Sequence, residues 1–347
     1  MLNKIITEDL EYITGCVLGW EVLDNSTVLI SGINGFLPSY LRETLFYLND
    51  RKGFNIRIIG IDREGSAPYE KFYTNNERSY YRYITQDISK SFSFDEKVDY
   101  VIHAASQASP KFYGTDPVGT LSANILGTYN LLSISQEGGA KGFLFFSSGE
   151  IYGIVSEVQI PTKETDYGWL DPMNIRSCYA ESKRMGENLC VSWSHQFGLP
   201  CKIIRPFHIY GPGIRLDDGR VQSDFIGNVA AGKDIVIKSD GKATRSFLYI
   251  ADATLAFFTA LLKGEDRAAY NIASHDEISI NELAEKLIAL FPEKNLKIDR
   301  QIRTDNMSYM PSPISRNKPA IDRLLALGWK QGYSIEEGLR RTALCYM

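Results

Sequence analysis

The chain of 347 residues has little that would tie it to a membrane, a metal or a nucleic acid. It has no apolar run long enough to span a bilayer, and its first ten residues contain neither an apolar stretch nor a small-residue cleavage site. A cytoplasmic location without a membrane partner is the expectation. The five cysteines (Cys16, Cys178, Cys190, Cys201, Cys345) are scattered without a Cys-x-x-Cys spacing, which argues against a disulfide framework and a zinc site. No bound metal is expected. A formal net charge of −4 gives no general attraction to nucleic acid or anionic lipid, although a local basic cluster can still hold a phosphorylated small molecule. Internal repeats and low-complexity tracts are absent, and the ordinary globular composition supports a sizeable core in one large or two modest domains.

What is present is an alternation. Residues 27–31, 56–61, 98–105, 142–147 and 201–205 are short, nearly continuous apolar runs, with helical stretches to about Leu48, over 117–137 and over 179–197. Such strands alternating with helices predict a parallel sheet covered on both faces, an α/β doubly wound fold of Rossmann type. From Pro206 the order loosens into Gly- and Pro-rich loops, a strand near 235–237 and helices near 252–263, 279–291 and 319–327. This part reads as a smaller C-terminal α+β substrate-binding lobe. The expected division is a nucleotide-binding domain over 27–206 and 240–262, and a lobe over 207–239 and 263–347. Residues 1–26 read as an N-terminal extension in which Thr7 caps a short helix with Glu8 and Asp9 in its first turn.

Two motifs carry chemistry. In Ser-Cys-Tyr-Ala-Glu-Ser-Lys-Arg (177–184), helix-favouring neighbours put Tyr179 and Lys183 on one face of a helix. An ammonium beside a phenol favours the phenolate, so the pair is expected to supply a general base near neutrality, suited to taking a proton from an alcohol during hydride transfer. The second motif is a strand followed by Gly32-x-x-Gly35 and a helix, the arrangement in which backbone amides meet a pyrophosphate. Asn34, Phe36 and Leu37 in the same turn are candidate cofactor contacts. Pro38 takes the place of the usual third glycine, which a first helical turn tolerates. Asp62 ends the second strand, where a carboxylate accepts from ribose hydroxyls and repels a 2′-phosphate, favouring NAD; Arg63 beside it would favour NADP. Asp87, followed by Ile88, is a candidate for the adenine amine.

Taken in order, Gly32-x-x-Gly35, Asp62, His103-Ala-Ala105, Asn124-x-x-Gly-Thr128, Ser147-Ser-Gly-Glu-Ile-Tyr-Gly153 and Tyr179-x-x-x-Lys183 resemble the extended short-chain dehydrogenase/reductases that modify nucleotide sugars. The resemblance covers residues 27–340 and continues through Arg205-Pro-Phe-His-Ile-Tyr-Gly-Pro212, Thr244–Asp252, Tyr270–Ser274 and Leu327-Gly-Trp329. It implies a nucleotide-sugar substrate, NAD as cofactor and a homodimer. It also implies cofactor contacts from Ile88, Ala104, Ala105, Asn124, Tyr179 and Lys183. Ser148 would hydrogen-bond the sugar's 4-hydroxyl, Tyr179 would take its proton as C4 gives up hydride, and Lys183 would hold the nicotinamide ribose. Ser106, Ser148, His208, Arg220 and Arg245 would meet the substrate, the two arginines as diphosphate clamps.

Within the family, glucose 4,6-dehydratases typically carry Thr-Asp-Glu where this chain has Ser148-Gly149-Glu150, the aspartic acid protonating the departing 6-hydroxyl. Gly149 has no side chain for that, so elimination of water is disfavoured. Glu150 remains as a catalytic candidate where 4-epimerases commonly lack an acid. Residues 171–184 and 211–226 are similar to segments of UDP-glucuronate decarboxylases, in which C4 oxidation makes a β-keto acid that loses CO₂. His208 replaces the usual asparagine of Arg-x-x-Asn, and Gly213 stands where decarboxylases usually have arginine. The alternatives are a 4-keto-6-deoxysugar nucleotide reductase (dTDP or CDP), a nucleotide-sugar 4-epimerase, and a non-catalytic NAD-binding regulator.

Overall fold

The computed structural model describes residues 3–65, 77–301 and 314–347. Strands β1 (Thr27–Ser31), β2 (Arg57–Asp62), β3 (Tyr81–Thr85), β4 (Tyr100–His103), β5 (Gly142–Phe146) and β6 (Cys201–Pro206) join Ala269–Ile272 in one sheet of seven strands. Its order is Ala269–Ile272, β6, β5, β4, β1, β2, β3, and every pairing is parallel. The strands are apolar without alternation because helices cover both faces, as the sequence predicts: β5 is buried at all its positions. Between β1 and β4 the chain reverses its direction of travel across the sheet. The carboxyl ends of these two strands therefore open a crevice, the usual ligand position in such sheets.

The helices are α1 (Lys4–Gly15), α2 (Phe36–Lys52), α3 (Pro117–Glu137), α4 (Cys178–Phe197), α5 (Val221–Ala230), α6 (Ile250–Lys263), α7 (Ile280–Ala289), α8 (Asp322–Ala326) and α9 (Ile335–Leu344). Helices α3 and α4 pack against each other, and α1 lies on α2 and α6. Asn3, not Thr7, caps α1: the Asn3 side chain accepts from Ile5 N at 2.9 Å, and Thr7 lies one turn inside with its hydroxyl on Asn3 O. The capping oxygen must precede the first free amides, and Thr7 comes too late. Ile6, Leu10 and Ile13 bury one stripe of this helix, and the buried Asp9 accepts from Tyr40 (2.9 Å), Tyr249 (2.7 Å) and Arg341 (2.8 Å). Residues ahead of the first strand are thereby fastened to α2, α6 and α9.

The C-terminal elements add short sheets. His208–Tyr210 pairs with Phe247–Tyr249 and Ile235–Ile237 with Ile298–Arg300, while Thr244–Arg245 lies between Ile278–Ser279 and Arg316–Asn317. One continuous apolar core runs from Val28 and Ile30 on one sheet face through Phe257 to Leu283 and Leu339, and a second covers the other face around Leu29, Ile59 and Phe143. Strands 81–85 and 269–272 and helices α5 and α9 have no counterpart in the sequence reading. The edge strand β3 is largely exposed and polar, which leaves it no apolar run to read. No helix among the described residues is long and apolar enough to cross a membrane.

Candidate active site

The first turn is shaped by contact. Gly32 has φ +70°, and a Cβ there would lie 2.6 Å from the Ala105 Cα, so both the backbone and the neighbouring loop require glycine. Ser31 at the end of β1 bonds His103 Nδ1 at 2.8 Å and accepts from Ala105 N at 3.3 Å, stitching the two sides of the crevice together. Helix α2 begins at Phe36, so the amides of Phe36 and Leu37 have no intrahelical acceptor, while Pro38 in the same turn has no N–H to offer. Asp62 faces this turn: its carboxylate accepts from Asn34 N at 3.0 Å and from Arg63 N at 2.9 Å. Free amides at a helix start, a glycine held tight against the opposite loop and an acid at the end of β2 suit a dinucleotide's pyrophosphate and ribose.

The other candidate cofactor positions also make contacts within the protein. Asp87 is exposed and accepts from Ser89 N (3.0 Å) and Ser89 Oγ (2.7 Å). Ile88 is buried against Gly127, where a Cβ would come within 2.6 Å of its Cδ1. Asn124 is fully buried and donates to Ser182 Oγ at 2.9 Å, which in turn donates to Tyr179 O at 2.9 Å. The Asn124 motif thus fixes α3 to the turn of α4 that carries the tyrosine. Ala104 and Ala105 are half-buried beyond the end of β4.

Tyr179 and Lys183 share one face of α4, as their spacing predicts. The buried Tyr179 ring stacks on Tyr113, centroids 5.1 Å apart and planes at 15°. Lys183 donates to Phe146 O at 2.6 Å, and its ammonium lies 5.8 Å from the Tyr179 ring centre. The two serines after β5 divide their work: Ser147 donates to Glu187 at 2.5 Å within the Glu187–Arg205 pair, whereas Ser148 accepts from Glu150 N at 3.2 Å and stands near enough to the Tyr179 phenol to favour its ionised form. The electrostatics correct the sequence reading. Burial raises the Tyr179 phenol above its ordinary value, against the nearby Ser148 hydroxyl and the Arg220 charge, while Glu150 adds to the rise. Burial also pushes Lys183 down to about 7, opposed by Glu187. Desolvation penalises each charged form more than the neighbouring charge rewards it, so the phenolate is disfavoured here.

Glu150 forms an ion pair with Arg176 at 3.1 Å, and both carboxylate and guanidinium stand close enough to Tyr113 to shift it. Arg176 and Tyr113 are site residues that sequence reasoning missed. Arg176 lies three residues before Tyr179, one turn away, a spacing that could have flagged it. Arg220 and Arg245 both approach His208, whose imidazole burial and these two charges hold down to about 3, hence neutral. Arg220 donates to Ala108 O at 3.1 Å and pairs with Asp218 at 3.4 Å; Arg245 donates to Ile314 O at 2.8 Å and Ser315 O at 3.1 Å. His208 Nε2 and Ser106 Oγ are shielded from solvent without a hydrogen-bond partner. Buried polar atoms rarely stay unpaired, so both sit where a polar ligand would satisfy them.

Comparison with known proteins follows this geometry. The model of the NAD dependent epimerase/dehydratase family matches residues 28–273. UDP-glucuronic acid decarboxylase 5 of Arabidopsis thaliana is 32% identical over 318 residues, spanning 91% of this chain and 87% of that protein. UDP-glucuronic acid decarboxylase 1 of Xenopus tropicalis is 30% identical over 326 residues, spanning 92% and 72%. Among solved structures, UDP-glucuronic acid 4-epimerase from Bacillus cereus in complex with UDP-glucuronic acid and NAD shares the fold with a TM-score of 0.76, 23% identity and 92% and 98% coverage.

Proposed function

This chain belongs to the NAD dependent epimerase/dehydratase family, and from that premise we propose that it is a nucleotide-sugar enzyme of the UDP-glucuronate decarboxylase kind. The observation that carries the reading is the meeting of Ser148, Tyr179 and Lys183 beside Gly149, which has no side chain with which to expel a 6-hydroxyl. The relatives named UDP-glucuronic acid decarboxylase support it.

Bound NAD supplies a hydride acceptor that later returns the hydride. The amides of Phe36 and Leu37, with Gly32 and Asp62, would hold its adenosine side, and Tyr179 and Lys183 its nicotinamide side. Ser148 and Tyr179 would receive the sugar's 4-hydroxyl, Ser148 by a hydrogen bond and Tyr179, in the minor fraction that is phenolate, by taking the proton as the C–H bond breaks; the Arg220 charge offsets part of what burial costs that form. Proton loss and hydride loss in one step avoid an oxocarbenium ion. The 4-keto acid so formed loses CO₂ without further help, because the ketone accommodates the electron pair left at C5. Protonation at C5 and return of hydride to C4 complete a cycle with no net redox change. Arg220, Arg245 and the neutral His208 would grip the diphosphate. Glu150 is anchored by Arg176 and opposes Arg220 in its effect on the Tyr179 phenol.

Incubation with UDP-glucuronate should yield CO₂ and a UDP-pentose while the absorbance of reduced nicotinamide stays flat. His208 and Gly213 depart from the decarboxylase pattern, and the second reading is the 4-keto-6-deoxysugar nucleotide reductase, which uses the same Ser148, Tyr179 and Lys183 once. Steady consumption of added NAD(P)H with such a keto sugar, and no CO₂ from the glucuronate, would move the assignment there; UDP-galacturonate as product would move it to a 4-epimerase.

A further inference from the structure

Gly149 lacks an acid for a reason that lies outside its own motif. A Cβ built on it would lie 2.6 Å from Cε1 of Phe207 and 2.8 Å from Cδ1 and Cζ, an approach that real side chains do not make. The ring is not the loose end of a flexible chain. It stacks on Tyr152, centroids 6.2 Å apart and planes at 27°, and Phe207 N donates to Ile272 O at 3.1 Å. Tyr152 is itself fixed: its hydroxyl donates to Asn271 Oδ1 at 2.7 Å and accepts from Arg205 Nη1 at 2.7 Å. The Arg205 guanidinium covers the Tyr152 ring at 4.9 Å and is held by Glu187 at 2.7 Å. Tyr152 also ends the same short turn, Gly149–Tyr152, that begins at the glycine. One buried polar network therefore supports the ring that keeps position 149 bare.

We propose that Phe207 is a specificity-determining residue: its ring fills the space that a side chain at position 149 would enter, so that an apolar group, not an acid, lines this part of the site. The proposal rests on the reading of the chain as a nucleotide-sugar enzyme acting at C4, but not on which sugar it takes. Elimination from a 4-keto hexose removes the C5 proton and the C6 hydroxyl, which leaves as water only if a donor protonates it. The hydride taken from C4 then returns to C6, so the cofactor ends unchanged. Phe207 occupies the place from which position 149 would supply that proton. Replacing glycine by aspartate alone cannot convert the site, because the new side chain and the ring compete for one volume.

The test is a cycle of Gly149→Asp, Phe207→Ala and the double variant, with Phe207→Leu as a milder replacement should the alanine variant fail to fold. Gly149→Asp should lower Tm by about 5 °C when Phe207 is present, the effect of overpacking, and by less than half as much in the Phe207→Ala background, whatever the ring's removal itself costs. The double variant, given a glucose nucleotide, should release a 4-keto-6-deoxy product, seen by its ultraviolet absorbance in base, where wild type and both single variants do not. An unchanged Tm for Gly149→Asp would overturn the steric claim. A reduced Gly149→Asp loss in the Phe207→Ala background with no keto product from the double variant would overturn the specificity claim and leave Phe207 a packing residue. Should wild type not decarboxylate UDP-glucuronate while the cycle behaves as expected, the decarboxylase reading falls and this one stands.

Discussion

The tyrosine end of the site and its arginine end treat charge in opposite ways. Around Tyr179 burial dominates: the phenol is raised and Lys183 lowered to about 7, so each group is drawn toward its uncharged form. Around the proposed diphosphate position Arg220 stays partly exposed, 34% for its side chain, and the guanidinium groups are held by backbone carbonyls of Ala108, Ile314 and Ser315. A group that moves a proton gains from standing near neutrality, whereas a group that holds an anion needs permanent charge. His208 sits among the arginines yet follows the tyrosine end's rule, neutral and with a free Nε2.

The largest effect should come from the proton-moving end. Tyr179→Phe should remove about 2–4 orders of magnitude of rate while cofactor binding, followed by fluorescence, stays nearly intact. Near-normal turnover would dissolve the distinction between the two ends. At the anion-holding end, Arg220→Ala or Arg245→Ala should raise KM about 10–100-fold with a smaller change in kcat, and high salt should narrow the difference. An unchanged KM would reduce these arginines to loop anchors.

Lys183 tests the comparison through stability. An amine whose pKa falls from 10.5 unfolded to about 7 folded binds fewer protons in the folded state across that window. Its burial therefore costs stability in full below pH 7, and the cost fades as pH rises toward 10.5. Lys183→Met should abolish activity and weaken cofactor binding yet raise Tm by about 5 °C at pH 7, with the gain shrinking at higher pH. A variant less stable than wild type at pH 7 would mean that the Phe146 O hydrogen bond outweighs desolvation.

How much of this was legible in the sequence follows from how local each feature is. Continuous apolar strands, the Gly32 turn and the Tyr179–Lys183 spacing are readable because a few neighbouring residues determine them. Ile6, Leu10 and Ile13 carry a helical spacing, but nothing in residues 1–26 says that Asp9 will meet Tyr249 and Arg341 from the far end of the chain. The ring of Phe207 against Gly149 and the Glu150–Arg176 pair are long-range in the same sense. The direction of the Tyr179 shift was misread for a related reason: the spacing reveals a nearby ammonium, whereas burial by Tyr113 and the surrounding core is visible only in three dimensions.

The smallest expected effect concerns Asp62, which repeats the contrast at the adenosine position, since a retained negative charge there would reject an anion. Its two oxygens already accept from Asn34 N and Arg63 N, and an ionised carboxylate has further lone pairs for a ribose diol. A 2′-phosphate would bring like charge against it, which the exposed Arg63 side chain next to it could offset only in part. Fluorescence titration should show NAD(H) binding tighter than NADP(H) by about 10-fold, and Asp62→Ser should narrow that ratio more than it weakens NAD(H). Raising the salt concentration should narrow it too, because repulsion at a half-exposed carboxylate is screened. Tighter binding of the phosphorylated dinucleotide by wild type would show that Arg63 governs this corner, and that fixed charge here attracts the anion as it does beside Arg220.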